Sequence, residues 1–342
     1  MTQRLRCRRV PTTQRAALDA VVAALRQRYG AHIIRTADDL TALGPATGTS
    51  VLSTGSLGLD LVTRGLARGA IAEYAGVDGA GKETLAHTAL ARAQRDGGLA
   101  LLFDADGASD PDALAAAGVD LASLPLACPT TAQEAWPALV TLARSGALDL
   151  LLVTSLSGLL GLPGAGDQRL LRVWLPRLRL ALRGRRTALL VTNAPLARDD
   201  ADRAGAWDTV GGLVVAQAAA LRIALYPTGP RFGPHGDVVG LGAMATVVKR
   251  HGLRRGPALA LELTAGGTSH ARELVTLGLL TGHITDTRLG LVAERIALGR
   301  TEIRAAATLA ADPDLAAALE ARIRRAWDAG TISGRPVDGA AR

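Results

Sequence analysis

The stretch GVDGAGKET, residues 76–84, follows the pattern G-x-x-x-x-G-K-[ST] at Gly76, Gly81 and Lys82 and breaks it at Glu83. In that pattern the glycines let backbone N–H groups close on phosphate oxygens, the lysine reaches the terminal phosphates, and the last hydroxyl holds magnesium. Composition bears on whether the match is accidental. The 342 residues include 37 Arg and only two Lys, Lys82 and Lys249. A compact ammonium fits between phosphate oxygens where a planar guanidinium does not. A chain that uses Arg nearly everywhere has Lys where lysine chemistry is specific, which argues against chance. The phosphate-contacting set is expected to be Gly76, Gly79, Ala80, Gly81, Lys82, Glu83 and Thr84.

Outward from the loop, residues 70–75 (AIAEYA) read as a short buried strand and Lys82 to Arg95 as a helix, the context the motif requires. The alternation continues. Strands are expected at 99–104 (LALLFD), 148–154 (LDLLLVT) and 187–192 (TALLVT), and helices at 110–117, 132–145 and 170–182. Apolar strands alternating with helices predict an α/β fold with a mainly parallel sheet covered on both faces. Further strands at 219–226, 244–249 and 258–263 are expected to join antiparallel. An amphipathic helix is expected over 13–29, with Leu18, Val21, Val22 and Leu25 on one face. From about Ala271 the pattern turns helical. The expected division is an N-terminal helix and linker (1–45), a nucleotide-binding core (46–270), a small α-rich domain (271–332) and a disordered tail (333–342).

Apolar residues make up 48% and aromatics 3%, so the core is built from Ala, Leu and Val. No apolar run reaches the roughly 18 residues of a membrane span, and no apolar signal core follows the basic start. Cys7 and Cys128 are too few for a disulfide framework. A cytoplasmic protein is expected, with no membrane partner. The net charge of +8 favours polyanionic partners, nucleic acid first. A coding bias toward Arg would produce the same excess.

The order of these elements, with several short motifs, resembles the bacterial RecA recombinase family over roughly residues 12–330. The motifs are Ser53-Thr54-Gly55-Ser56-Leu57 with Leu59-Asp60, Phe103-Asp104-Ala105-Asp106, Asp110-Pro111, Gly118-Val119-Asp120 and Ala143 to Ala147. Gly211-Gly212, Val247-Val248-Lys249 and the run from Ser269 to Leu280 complete the series. The resemblance implies a RecA-like P-loop NTPase core, an N-terminal arm at a subunit interface, ATP with magnesium as cofactor, single-stranded DNA as ligand, and a homo-oligomer or filament. It also implies that Lys249 touches the neighbouring subunit's nucleotide. Other repair proteins are further candidate partners.

Departures from the family fall at the chemistry. The magnesium-binding hydroxyl of the loop is Glu83, and the carboxylate ending the third strand is Thr154. The two ligand types have thus changed places. Either they remain a magnesium pair, or Glu83 points to solvent or pairs with an Arg. The water-activating glutamate corresponds to Asp106, one methylene shorter. The phosphate-sensing glutamine corresponds to Ala194, the adenine-stacking tyrosine to Ala113, and an interface Lys-Phe pair to Ala216-Gln217. Weak or absent ATP hydrolysis is therefore expected, with a non-catalytic accessory or structural partner in DNA damage tolerance as the alternative. DNA would meet two loops, Gly158 to Gln168 and Leu196 to Gly212, through Arg169, Arg172, Arg198, Arg203, Gly211 and Gly212. Beyond the first loop, Arg169, Arg172, Arg179, Arg183 and Arg186 recur at helical spacing with Pro176 interrupting. They form either a polyanion surface or a solvated face.

Overall fold

The computed structural model describes residues 12–29, 51–163, 169–196, 208–232, 236–250, 253–254 and 256–329. The elements in chain order are α1 (Thr12–Tyr29), α2 (Leu57–Thr63), β1 (Ile71–Gly76), α3 (Lys82–Arg95), β2 (Ala100–Asp104), α4 (Pro111–Ala116), β3 (Leu126–Ala127) and α5 (Ala132–Ser145). Next come β4 (Leu150–Thr154), α6 (Leu156–Gly161), α7 (Arg169–Leu182), β5 (Ala188–Asn193), α8 (Gly212–Ala218), β6 (Leu221–Phe232), β7 (Val238–Arg250), β8 (Leu253–Arg254), β9 (Ala258–Thr264) and β10 (Gly267–Thr268). The chain continues through α9 (His270–Leu280), β11 (Ile284–Thr287), β12 (Gly290–Ala293), β13 (Ile296–Gly299), α10 (Glu302–Ala311) and α11 (Pro313–Asp328).

One large sheet runs β10-β9-β7-β6-β1-β5-β4-β2-β3, with β8 on β7. The strands β6, β1, β5, β4, β2 and β3 are parallel, whereas β7 and β9 pair antiparallel at the other side. The apolar runs of the sequence are explained by period-two alternation between two covered faces. Leu102, Leu150, Leu152 and Leu190 point into a cluster under α3, with Tyr74 and Leu85. Phe103, Leu151, Val153 and Val191 point into a second cluster under α5 and α7. At roughly 25 cal/mol per Å² of apolar surface, these two layers are the main stabilising term of the core.

Three expectations are corrected. The strand expected at 219–226 extends to Phe232 and pairs parallel with β1, not antiparallel. Its position beside the loop strand gives it the direction of the core; β7 reverses, and β9, antiparallel to β7, runs with the core again. The helix α7 runs unbroken through Pro176, because the ring lies on the exposed face and only one intrahelical hydrogen bond is forfeited. The C-terminal region is not all helix, since β11, β12 and β13 form a three-stranded antiparallel sheet. Its strands have four residues each, too short for a period to register. A third apolar cluster joins that sheet to α9, α10 and α11 and takes in Leu57 and Leu61 of α2. Residues 30–50 and 333–342 lie outside the described residues.

Candidate nucleotide site and nucleic-acid loops

The loop of residues 77–81 leaves the carboxyl end of β1, which lies between β5 and β6. This is the point in an open α/β sheet where the chain order reverses and a crevice opens. Each loop glycine has a distinct reason. A Cβ on Gly76 would sit 2.8 Å from Leu225 O. Gly79 has φ 75° with open space around it, so conformation alone demands glycine. Gly81 has φ 85°, and a Cβ there would overlap Leu263 Cδ1. Gly81 ends the loop as the left-handed residue before α3, so the first N–H groups of α3 are without intrahelical partners and face outward for an anion. Ala80 is fully buried, and Thr84, in the first turn of α3, is half-buried.

Lys82 is 4% exposed. Its Nζ lies 3.2 Å from Asp78 Oδ1 and 3.0 Å from Glu83 Oε1. Glu83 thus pairs with the lysine beside it, neither with an Arg nor with solvent alone. Asp78, in a variable position of the motif, offered no sequence signal for this role.

Thr154 ends β4, opposite Asp104 of β2. Its Oγ1 is buried and has no hydrogen-bond partner among the described residues. A buried hydroxyl oxygen left so is costly, and a hard cation is one group that satisfies it. Among the described residues no three His, Cys, Asp or Glu side chains converge as a ready-made metal cluster. Asp104 pairs with Thr154 across the strands, and Asp106 N donates to Thr154 O at 3.2 Å, so oxygen ligands of the kind magnesium accepts stand at this strand end.

Asp106 follows β2. Its Oδ1 accepts a hydrogen bond from Ser155 Oγ at 3.1 Å, and Ser155 in turn contacts Ser157 at 2.6 Å. A Cβ on Gly158 would overlap the Asp106 carboxylate, so glycine at 158 makes room for it. Burial pushes the Asp106 carboxyl up from the usual range; Asp104 and Glu83 add to the rise, while Ser155 and Lys82 oppose it. Asp104 itself caps the following turn, accepting from Gly107 N and Ser109 N at 2.9 Å each.

Between β1 and β5 lies a buried network that the sequence did not announce. Glu73 accepts from Asn193 Nδ2 at 2.7 Å, Thr209 Oγ1 at 2.7 Å and Arg222 Nε at 2.5 Å. Asn193 also donates to Val210 O at 2.9 Å. The network therefore ties the loop strand to the returning end of the second expected DNA loop. Ala194 follows with no polar side chain to reach a phosphate. Ala113, at the base-stacking position, is exposed on α4.

Lys249 Nζ donates to Ala216 O at 2.7 Å and Ala219 O at 2.5 Å at the end of α8. Burial pushes its amine down, and Arg222 and Arg179 add to that. Gly211 and Gly212 open α8 with φ 88° and 47°, and a Cβ on Gly211 would collide with Leu171 and Val215. The first expected DNA loop is helical at its start, because Gly158 to Gly161 belong to α6. Arg169 and Arg172 are exposed on α7. Arg198 and Arg203 lie outside the described residues. Arg186 leaves the expected stripe, since its Nε donates to the carboxylate of Asp149 at 3.0 Å.

Among known families, residues 16–165 match the RecA N-terminal domain. The chain is 29% identical to Protein RecA of Thermus thermophilus over 326 residues, 91% of this chain and 94% of that protein. It is 30% identical to Protein RecA of Acidiphilium cryptum over 321 residues, 90% and 92% of the two chains. It is also 30% identical to Protein RecA of Blastochloris viridis over 334 residues, 93% and 94%. With the phosphate loop at the sheet's switch point and this end-to-end similarity, the chain belongs to the RecA family.

Proposed function

We propose that the protein binds ATP and single-stranded DNA in recombination and DNA repair, with hydrolysis weak or lost. The observation that carries this is the state of Lys82. The glycine cradle and its lysine are retained, while the lysine's charge is shared with Glu83 and Asp78. The cradle of Gly76, Gly79, Ala80, Gly81, Lys82 and Thr84 would hold the phosphates. Glu83 and Thr154 would hold magnesium, which when bound neutralises phosphate charge. Asp106 would take the water proton, but it is short and engaged by Ser155. Phosphoryl transfer depends on metal, positioned water and charge neutralisation, so these substitutions should cost orders of magnitude in rate.

DNA would run over Arg169, Arg172, Arg198, Arg203, Gly211 and Gly212. Self-assembly is supported by α1, which leaves Leu18 and Val21 more than half exposed and so offers an apolar face for another copy. Lys249 would face that copy's nucleotide after releasing the carbonyls of α8. A division near residue 270 is supported by the third apolar cluster, most of whose members follow that point. A cytoplasmic setting is consistent with the lack, among the described residues, of any helix long and apolar enough to cross a membrane.

The Lys82–Glu83 pair also favours a second reading, a non-catalytic RecA-family partner in damage tolerance. Calorimetry with ATP and ADP, beside ATPase assays with and without single-stranded DNA, separates the two. Nucleotide binding with slow DNA-stimulated turnover supports the first. Nucleotide binding without turnover leaves the readings to be separated by oligonucleotide binding, which the first requires and the second does not. No nucleotide binding at any practical concentration sinks the nucleotide site, and turnover at an ordinary recombinase rate sinks the claim of weakened hydrolysis.

A further inference from the structure

Residues 169–186 hold seven Arg and no Asp or Glu. The structure sorts these arginines by what they touch. Arg186 is engaged with Asp149. The Arg177 guanidinium lies 4.8 Å above the ring of Trp174, itself stacked on Trp136 at 6.0 Å. Arg185 covers Gly146 at the end of α5. Arg172, Arg179 and Arg183 are all exposed.

These three are spaced by seven and four residues. At 3.6 residues per turn Arg172 and Arg179 fall within about 20° of one another on α7, and Arg183 lies in the turn just past its last residue, Leu182. The face about 90° away, Leu171, Leu175, Leu178 and Leu182, is buried in the core, which leaves the stripe on the exposed flank of the helix. At 1.5 Å per residue the row is about 16 Å long, enough to pass roughly five phosphates of a base-stacked strand. Its first member lies on the turn that follows the first expected DNA loop. Gly211, where the second loop returns, packs against Leu171 of the same helix. Exposed Val173 and Leu180 lie beside the arginines. The row is a single line without acidic neighbours in its own segment, and the exposed apolar area is too narrow to insert into a bilayer. A linear polyanion with apolar bases matches this geometry.

We propose that Arg172, Arg179 and Arg183 form a track for the phosphate backbone of a nucleic-acid strand, leading it from the two loops along α7. The track rests on the DNA-binding reading of those loops. The test is fluorescence anisotropy of a labelled oligothymidylate titrated at several salt concentrations. Each phosphate neutralised on a single strand contributes about 0.7 to the slope of log K against log salt. Arg179→Ala/Arg183→Ala should flatten the slope by about 1.4 and weaken binding about 25-fold at about 0.1 M salt, relative to about 1 M. Arg179→Lys/Arg183→Lys should restore the slope. Should the double variant fail to fold, each single variant should still lose about 0.7. An unchanged slope with wild-type affinity overturns the track and leaves the loops standing. Wild-type protein that binds no oligonucleotide at any salt overturns both. Loss of binding to phosphatidylserine vesicles or to polyglutamate in the variants, with the DNA slope unchanged, overturns the track in favour of a lipid or protein surface.

Discussion

Glu83, which breaks the phosphate-loop pattern, holds Lys82, which keeps it, at 3.0 Å. A carboxylate at this place can act on a nucleotide in two opposite ways. It can compete with phosphate for the ammonium, or it can serve as a metal ligand once phosphate displaces it.

A double-mutant cycle with Thr154 separates these. As a magnesium pair, Glu83→Thr and Thr154→Asp should each weaken magnesium-dependent nucleotide binding, and the two together should recover it. The coupling should be about 1 kcal/mol or more, as for groups sharing one ligand. If Glu83 only obstructs, Glu83→Thr alone should tighten binding, and the coupling should vanish. Calorimetry with and without magnesium reads both.

Two loop glycines should respond differently to alanine. Gly79→Ala meets no atom, so it should cost only the left-handed penalty of about 1–2 kcal/mol. Gly81→Ala adds a collision with Leu263, whose displacement should disturb the start of α3. It should lower stability further and abolish nucleotide binding. Urea unfolding and calorimetry on both variants check this.

The Glu73–Arg222 pair is buried on both sides. Removing one partner leaves an uncompensated charge, so Arg222→Met should cost about 3–5 kcal/mol. Glu73→Gln/Arg222→Met should cost much less. Because Glu73 also holds Thr209 and Asn193, the single variant should raise proteolysis of the second loop as well. Limited digestion measures that beside urea unfolding.

Between α9 and α11, Glu320 accepts from His270 Nε2 at 3.0 Å and from Arg324. The His270 hydrogen bond, followed by Arg324, holds its carboxyl down at about 2. A depressed carboxylate contributes stability that is present above its unfolded value near 4.5 and lost as pH falls through the folded value. Glu320→Gln should therefore cost about 1–2 kcal/mol at neutral pH, after screening for partial exposure. The gap from wild type should close between about pH 4.5 and 2 in urea titrations.

If α1 packs on a second copy, Leu18→Asp/Val21→Asp should shift the protein to smaller species. Its far-ultraviolet circular dichroism should stay nearly unchanged. Sedimentation velocity tests this, and an unchanged distribution would return α1 to a solvent-facing helix.

The core was legible because its signals are local. A five-residue run such as LLLVT, or a glycine at a left-handed turn before a lysine, carries its conformation in neighbouring residues. That sufficed for the strand, loop and helix around Lys82, for the alternation of β2, β4 and β5, and for the amphipathic span of α1. Other features depended on which distant residues came together. The parallel direction of β6, the short strands of residues 284–299 and the continuity of α7 through Pro176 depend on which neighbour each segment finds. The capture of Asp106 by Ser155 spans 49 positions, and Glu73 meets Arg222 across 149. Ion pairs and buried hydrogen bonds act through space, and their energies arise only where folding excludes water. The sequence by itself determined that a phosphate cradle exists on an α/β sheet. Only the tertiary structure decided that the cradle's lysine is shared with two carboxylates, that Thr154 keeps a buried oxygen with no partner among the described residues, and that Arg172, Arg179 and Arg183 are exposed while Arg186 is bound to Asp149.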